Sequence, residues 1–413
     1  MKFEEFGLEP ELSRSLQTLG FNRPTDIQYK AIRPILEGED VLAIAQTGTG
    51  KTAAFAIPVI NILHRRKRSK RATGIRCVVM VPTHELAIQI NGVFQQIGKH
   101  TKVQTFGIFG GVEQNPQIAR LEKGLDILIA TPGRLFDLVS QGHLRLNMVE
   151  ILILDEADHM LALGFYKDIE DLIKFLPLKR QTLFFSATID EKIKKLAYSL
   201  VQKPIRIQIS PKDPVAKNID HAVIFVAMED KRFFLERLIN EHPDKKFLVF
   251  VRTKVRAERV AKAMERVEIE SQTIHSDKDQ HDRAKVMTQF RKGGVKIMIA
   301  TDVSARGIDI ADVDYVINYD LPELPENYVH RVGRTGRGTR RGNAISFCSP
   351  EENELLTAIE TYIGKEVEVL DIAHDEYTDT IELTKDSGNN NWKALMKEAE
   401  EAKNQPKRKK KKK

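Results

Sequence analysis

Two cysteines in 413 residues are too few to support a disulfide framework. Cys77 and Cys348 lie in separate strand-like runs with no ligand spacing around them. They read as buried thiols of a reducing compartment, with neither a disulfide nor a metal site implied. Long apolar runs are also missing. The longest, "AAFAIPVINIL" (53–63), is broken by Pro58 and Asn61 and falls short of the roughly 18 residues a membrane span needs. The opening "MKFEEFGLEPEL" carries acidic residues where a signal peptide needs an apolar run. The expectation is a cytoplasmic protein with no membrane partner. No G-x-G-x-x-G follows the first strand-like run, which argues against a dinucleotide-binding fold. Net charge is scarce except at the end: the formal charge is +7, and the last seven residues, "KRKKKKK" (407–413), carry seven positive charges, so residues 1–406 sum to zero. The expected polyanionic partner is a nucleic acid, with the lysine run as an electrostatic tether. A second basic cluster, "HRRKRSKR" (64–71), reads as a solvated loop between elements.

What is present is rhythm. Near-continuous apolar runs alternate with segments of helical period. In the first half the runs are "VLAIAQ" (41–46), "CVVMVPT" (77–83), "DILIATP" (126–132), "ILILDEAD" (151–158) and "TLFFSAT" (182–188). In the second they are "HAVIFVA" (221–227), "FLVFVRT" (247–253), "KIMIATD" (296–302), "YVINYD" (315–320) and "NAISFCS" (343–349). Such runs predict parallel sheets covered on both faces by helices. The fold class is α/β, with two tandem parallel-sheet domains and a flexible basic C-terminal tail. The expected boundaries are 1–208, a proline-bearing linker over 209–219, a second domain over 220–372, and a mobile tail over 373–413 with a helical segment at 392–403 containing Trp392. In such sheets chemistry sits at the carboxyl ends of the strands.

"AQTGTGKT" (45–52) follows a strand-like run and opens a helix, the context a phosphate-binding loop requires. Gly48 and Gly50 let backbone N–H groups face phosphates, Lys51 would reach the β- and γ-phosphates, and the Thr52 hydroxyl would coordinate Mg²⁺. Ala45 stands where the first glycine usually is; Gln46, Thr47 and Thr49 complete the loop. In "ILILDEAD", Asp155 would enter the metal's shell and Glu156 would orient and deprotonate the attacking water. These residues predict a nucleoside triphosphate and Mg²⁺; the choice of ATP comes with the resemblance given next. The stretch "YVHRVGRTGRGTRR" (328–341) crowds arginines among glycines. Arg334 and Arg337 in it would reach the nucleotide from the second domain, and hydrolysis would then require closure.

In motif order and spacing, residues 1–372 resemble the DEAD-box ATP-dependent RNA helicases. The motifs are "GFNRPTDIQ" (20–28), "AQTGTGKT", "PTHELA" (82–87), "GG" (110–111), "TPGR" (131–134), "DEAD" (155–158), "SAT" (186–188), "FVRT" (250–253), "QHDR" (280–283), "ATDVSARGID" (300–309) and "HRVGRTGR" (330–337). The "GRGTRRGNAISFCSPEE" context and the lysine-rich end look most like bacterial RhlE-type members. The resemblance implies two RecA-like domains. It implies that Gln28 reads the adenine edge and Phe3 stacks on the base, with Gly307 and Asp309 contacting the nucleotide from the second domain. Asp158, Ser186, Thr188 and His330 would couple hydrolysis to closure. RNA contacts would come from Pro82, Thr83, Gly111, Thr131, Gly133 and Arg134 in the first domain, and from Arg252, Arg283 and Thr301 in the second. Such residues suit backbone phosphates and 2′-hydroxyls rather than base edges. His84 departs from the family, which usually has arginine there.

The implied function is an RNA-stimulated ATPase that locally and non-processively unwinds short RNA duplexes or remodels RNPs, in the company of ribosome-assembly or RNA-decay proteins. Two alternatives remain at this level: an ATP-locked RNA clamp or annealing protein, and a DNA-directed motor of related architecture.

Overall fold

The computed structural model describes residues 2–46, 48–68, 74–209, 215–216, 218–275, 277–278, 280–302, 313–336 and 341–386. All ten apolar runs fall in parallel sheets. The first sheet contains β1 (Val41–Ala45), β2 (Cys77–Met80), β3 (Thr105–Ile108), β4 (Ile127–Ala130), β5 (Ile151–Leu154), β6 (Gln181–Ser186) and β7 (Ile205–Ile209), in the order β3-β4-β2-β5-β6-β1-β7. The second contains β8 (Ile219–Phe225), β9 (Phe247–Phe250), β10 (Gln272–Ile274), β11 (Ile297–Ala300), β12 (Tyr315–Asn318), β13 (Gly342–Cys348) and β14 (Glu368–Val369), in the order β10-β11-β9-β12-β13-β8-β14. Strands such as β2, β4, β5, β9 and β11 are buried along their whole length, because helices cover both faces.

In the first unit the helices are α1 (Pro10–Thr18), α2 (Asp26–Glu37), α3 (Lys51–Arg68), α4 (His84–Ile97), α5 (Asn115–Glu122), α6 (Pro132–Ser140), α7 (Ala157–Ala162), α8 (Tyr166–Ile173) and α9 (Glu191–Leu200). In the second they are α10 (Lys231–Glu241), α11 (Lys254–Arg266), α12 (Gln280–Lys292), α13 (Pro325–Val332), α14 (Asn353–Ile363) and α15 (His374–Asp386).

The four strands without a strong sequence signal, β3, β7, β10 and β14, are the four edge strands. An edge strand has only one neighbour and often one covered face, so its apolar run is short or interrupted. In β7, Ile205, Arg206 and Gln208 are exposed and only Ile207 is buried.

Two expectations are corrected. Residues 64–68 of the basic cluster are the end of α3, not a solvated loop. His64 is 1% exposed. Arg65 pairs with Glu9 at 2.7 Å, Lys67 with Asp126 at 2.8 Å, and Arg66 with Glu150. Acidic residues at the starts of neighbouring strands and in the N-terminal segment hold that helix end; residues 69–71 of the cluster lie outside the described residues. The tail expected from residue 373 instead begins as α15. Arg237 of α10 donates to Thr380 at 2.7 Å and to Glu376 at 2.6 Å, and the Tyr377 ring lies 4.9 Å from that of Phe234. Trp392, the 392–403 segment and the lysine run lie outside the described residues.

Both cysteines are buried and free, and burial pushes the Cys348 thiol up to about 11. No described helix is long and apolar enough to cross a membrane.

Candidate nucleotide and RNA site at the sheet edges

Parallel register aligns the functional loops. Ile108, Ala130, Met80, Leu154 and Phe184 sit at one level of the first sheet. The residues following them therefore emerge together at the carboxyl edge. Strand β5, with Asp155 at its end, divides that edge. On one side β6 and β1 carry "SAT" and the glycine-rich loop; on the other β2, β4 and β3 carry Pro82–Thr83, Thr131 and Gly110–Gly111.

In the loop, Gly48 and Gly50 have φ of 83° and 92°, a region costly for residues with a Cβ. The Thr49 hydroxyl donates to the Gln46 carbonyl at 2.7 Å, and Thr25 donates to the Thr49 carbonyl at 2.8 Å. Thr47 lies outside the described residues. Ala45 is the last residue of β1, paired with Ile209, so it belongs to the strand rather than to the phosphate cradle. Gln28, 4% exposed, accepts from the Thr25 N–H at 3.0 Å and donates to the Gly50 carbonyl at 3.2 Å. A primary amide has two donors and an acceptor oxygen with two lone pairs. One donor and one lone pair remain, which is what a bidentate contact to adenine needs. Phe3 is 5% exposed, packed against Phe6 and edge-on to Phe21 at 5.8 Å, so it is a core residue rather than an open stacking platform.

A Cβ on Gly50 would lie 2.5 Å from Gln28 Nε2 and 3.1 Å from Thr25 Oγ1. Gly50→Ala is therefore expected to push the Gln28 amide off the loop. Binding of a fluorescent ATP analogue should weaken by about tenfold or more, with the circular-dichroism spectrum kept. Unchanged nucleotide affinity would refute this coupling.

Lys51 opens α3 and is 6% exposed, and its ammonium is buried with no hydrogen-bond partner among the described residues. Asp155 is 3% exposed. Burial pushes its carboxyl up to about 6, opposed by Lys51 and reinforced by Glu156. A buried cation without a hydrogen-bond partner, near a buried carboxylate whose pKa its charge only partly offsets, fits a phosphate and a divalent cation arriving together. Among the described residues no cluster of three or more His, Cys, Asp or Glu side chains could hold a metal. Magnesium is commonly held by one or two carboxylates plus phosphates and waters.

Glu156 adopts φ 52°, ψ 48°, a left-handed conformation costing on the order of 1–3 kcal/mol for a non-glycine residue. It turns the chain sharply out of β5 into α7. Burial alone raises its pKa, but the hydrogen bond and charge of His159, then Lys51 and His330, bring it down to about 2. Glu156 is thus held ionised. Asp158 accepts from Thr188 at 3.3 Å, joining "DEAD" to "SAT". Ser186 is fully buried and its hydroxyl has no partner among the described residues.

On the other half of the edge, Thr83 caps α4 by accepting from the Leu86 N–H at 3.3 Å. His84 stacks on Phe109 at 5.6 Å, and a Cβ on Gly111 (φ 72°) would approach its ring to 3.2 Å. The unusual histidine therefore lies under the double-glycine turn. Arg134 donates to the Val112 carbonyl at 2.9 Å, tying the start of α6 to the same turn. Thr131 precedes α6 without a side-chain cap bond, followed by Pro132 and Gly133.

In the second sheet Ile274, Ala300, Phe250 and Asn318 share one level. Arg252 and Thr301 follow from it, and buried Glu352 holds Arg252 at 2.8 Å. Arg283 of α12 reaches Glu85 of α4 at 2.7 Å, an ion pair between the two units. His330 on α13 bears electrostatically on Glu156, and Arg334, 6% exposed, donates to the His330 carbonyl at 3.3 Å. Gly307, Asp309 and Arg337 lie outside the described residues. Arg331 was not singled out in the sequence. It is 2% exposed, holds Asp302 at 2.6 and 2.8 Å, bonds Asn318 and the Asp320 carbonyl, and covers the Phe250 ring. Its signal was helical spacing: Tyr328, Arg331 and Val332 share the buried face of α13.

Residues 25–196 match the family model for DEAD/DEAH box helicases, and residues 230–339 match the helicase conserved C-terminal domain. The DEAD-box ATP-dependent RNA helicase RhpA of Helicobacter pylori is 38% identical over 370 residues, covering 90% of this chain and 74% of that protein. The ATP-dependent RNA helicase CshA of Listeria monocytogenes is 38% identical over 369 residues, 89% of this chain and 70% of that protein. Among solved structures, S. cerevisiae Dbp5 bound to RNA and ADP BeF3 superposes with a TM-score of 0.80 at 30% identity, covering 94% of this chain and 99% of that one. Mss116p bound to ssRNA and AMP-PNP gives 0.81 at 27% identity, over 94% of this chain and 82% of that one. Identity spread along nine-tenths of the chain, through both sheets and the loops at their edges, makes this protein a member of the DEAD-box ATP-dependent RNA helicases.

Proposed function

We propose that the protein hydrolyses ATP to ADP and phosphate when RNA draws its two domains together, and that closure opens a few base pairs of a short duplex without travel along the strand. The observation carrying this reading is the meeting of the two units: Arg283 pairs with Glu85, and His330 acts on Glu156. Both relatives superposed above are described with RNA and a nucleotide analogue bound.

In this reading the loop amides of residues 46–50 and Lys51 bind the phosphates, Gln28 selects adenine, and Glu156 takes the proton of the attacking water. Thr52 and Asp155 would hold Mg²⁺, which supplies charge neutralisation at the β- and γ-phosphates. Arg334, with Arg337, meets the charge spreading over the γ-phosphate. Gly307 and Asp309 hold the nucleotide from the second domain. Asp158, Ser186, Thr188 and His330 transmit closure between the acidic loop and α13. Pro82, Thr83, Gly111, Thr131, Gly133, Arg134, Arg252 and Thr301 hold RNA by its backbone. Arg283 serves first as the latch to Glu85 and sets the closed geometry. Stacked base pairs are worth about 1–2 kcal/mol per step by DNA values, so closure driven by two ligands suffices for a few pairs and not for long duplexes.

The test is ATP-dependent strand separation against duplex length, with ATP turnover measured beside it. Rates should fall steeply once a duplex exceeds about one helical turn, while RNA-stimulated turnover persists. Length-independent unwinding would replace this mechanism with translocation. The latch has its own check. Glu85→Arg and Arg283→Glu should each raise the RNA concentration for half-maximal ATPase by about tenfold, and the double swap should recover most of it. Independent, additive losses would refute the pairing as a closure contact.

A further inference from the structure

The first domain has a second concave site, at the pole where its strands begin. There a cavity of about 680 Å³ opens beside the end of α3, within the roughly 300–1,000 Å³ of small-molecule sites. Its floor is apolar: Leu36 from α2, Ile62 and Leu63 from α3, and Ile151 from β5. Its wall is basic, with Arg66 and Lys67 at the end of α3, Arg76 before β2, and Lys179 and Arg180 before β6. Three carboxylates stand among these five cations. Two of them are committed. Asp126 accepts from the Gln104 N–H at 2.7 Å and pairs with Lys67 at 2.8 Å, while Glu150 faces both Arg66 and Arg76, the latter at 2.6 Å.

Arg180 keeps one donor unmatched among the described residues. Its Nη1 donates to the Pro177 carbonyl at 2.9 Å, but its Nε is buried with no acceptor among the described residues. A guanidinium has five donors in a planar fork, and that fork matches phosphate oxygens in pairs. Burial also draws its pKa down, against the opposing charge of Asp40. Exposed Lys179 adjoins it. The cavity therefore places Arg180 and Lys179 beside an apolar lining.

We propose that this cavity binds a phosphate-bearing ligand of nucleotide size, with the phosphate on Arg180 and Lys179 and the ring on the floor formed by Leu36, Ile62, Leu63 and Ile151. The site is separate from the ATP loop: α3 begins at Lys51 in that loop and ends at this cavity, and a helix of 18 residues spans about 27 Å. Two sources supply the same chemistry, a free mononucleotide and the 5′-phosphorylated end of an RNA.

The test uses the full chain carrying Lys51→Gln to silence the phosphate loop, with isoleucine methyl groups labelled for NMR. Titration with GMP should move the Ile62 and Ile151 methyl resonances to saturation, and guanosine should not. Arg180→Gln should weaken the response by about tenfold or more, the loss expected for one charge-assisted pair. Lys179→Ala, at an exposed position, should weaken it less and serves if Arg180→Gln does not fold. RNA tetranucleotides with and without a 5′-phosphate separate the sources. A response to GMP alone identifies a free nucleotide, and a response to the phosphorylated tetranucleotide identifies an RNA end. Methyl resonances unmoved by every phosphate ligand at millimolar concentration would overturn the proposal. So would an equal response to guanosine, or a response unaltered in both variants.

Discussion

Glu156→Gln should lower RNA-stimulated ATP turnover by roughly 10²–10⁴-fold, the usual contribution of a positioned general base, with little change in ATP or RNA binding. The side chain sits where β5 turns into α7 in a left-handed conformation, and it is kept ionised by His159, Lys51 and His330 against the opposing effect of burial. Glutamine keeps the shape and the hydrogen bonding but cannot accept a proton. The variant should therefore accumulate the closed, ATP- and RNA-bound protein. Steady-state phosphate release measures the first effect, and retention of a labelled RNA in the presence of ATP the second. Turnover within threefold of the unmodified protein would remove Glu156 from the chemistry.

Arg334→Ala should cost about 10³-fold or more in turnover, in the range for arginines supplied from outside a phosphate loop. The residue is nearly buried and donates to the carbonyl of His330, the residue that acts on Glu156; in the proposed mechanism its charge reaches the nucleotide only when the two sheets meet. Arg334→Lys keeps the charge but loses the fork, and should recover only part of the rate. ATP affinity without RNA should be unaffected, because the open first domain does not use this side chain. A variant that loses ATP affinity with the domains apart, or that keeps full turnover, would contradict a role tied to closure. Arg331, three residues earlier, separates structure from chemistry: Arg331→Ala removes the partner of Asp302 from the core and should lower the melting temperature, whereas Arg334→Ala should not.

Much of the site was legible because its chemistry is local. "TGTGKT" needs glycines at positive φ and a lysine at a helix start, and both requirements fall within one short loop. "ILILDEAD" announces a buried strand followed by acids. The left-handed turn at Glu156 was not legible, since glutamate has no preference for it; the strain is sustained by β5 and α7 on either side. The adenine role of Gln28 came from the resemblance alone, and its bonds to Thr25 and Gly50 depend on α2 lying against the loop. The end of α3 read as a solvated loop because like charges in sequence look mutually repulsive. Its counter-charges, Glu9, Asp126 and Glu150, come from distant segments.

The sequence by itself determined the two α/β halves, their ten covered strands and the identity of the loops at the strand ends, because apolar continuity and turn chemistry are properties of neighbouring residues. Tertiary structure decided the rest. It set the spatial order in which β5 separates the glycine-rich and SAT loops from the loops carrying Pro82–Thr83, Thr131 and Gly110–Gly111, and it recruited four edge strands whose own patterns are weak. It also gave Arg283 a carboxylate on the other unit and turned Arg331 inward while Arg334 stayed at the His330 face. These outcomes depend on which distant segments become neighbours. That is settled by long-range burial and ion pairing, and no short stretch of chain carries the information alone.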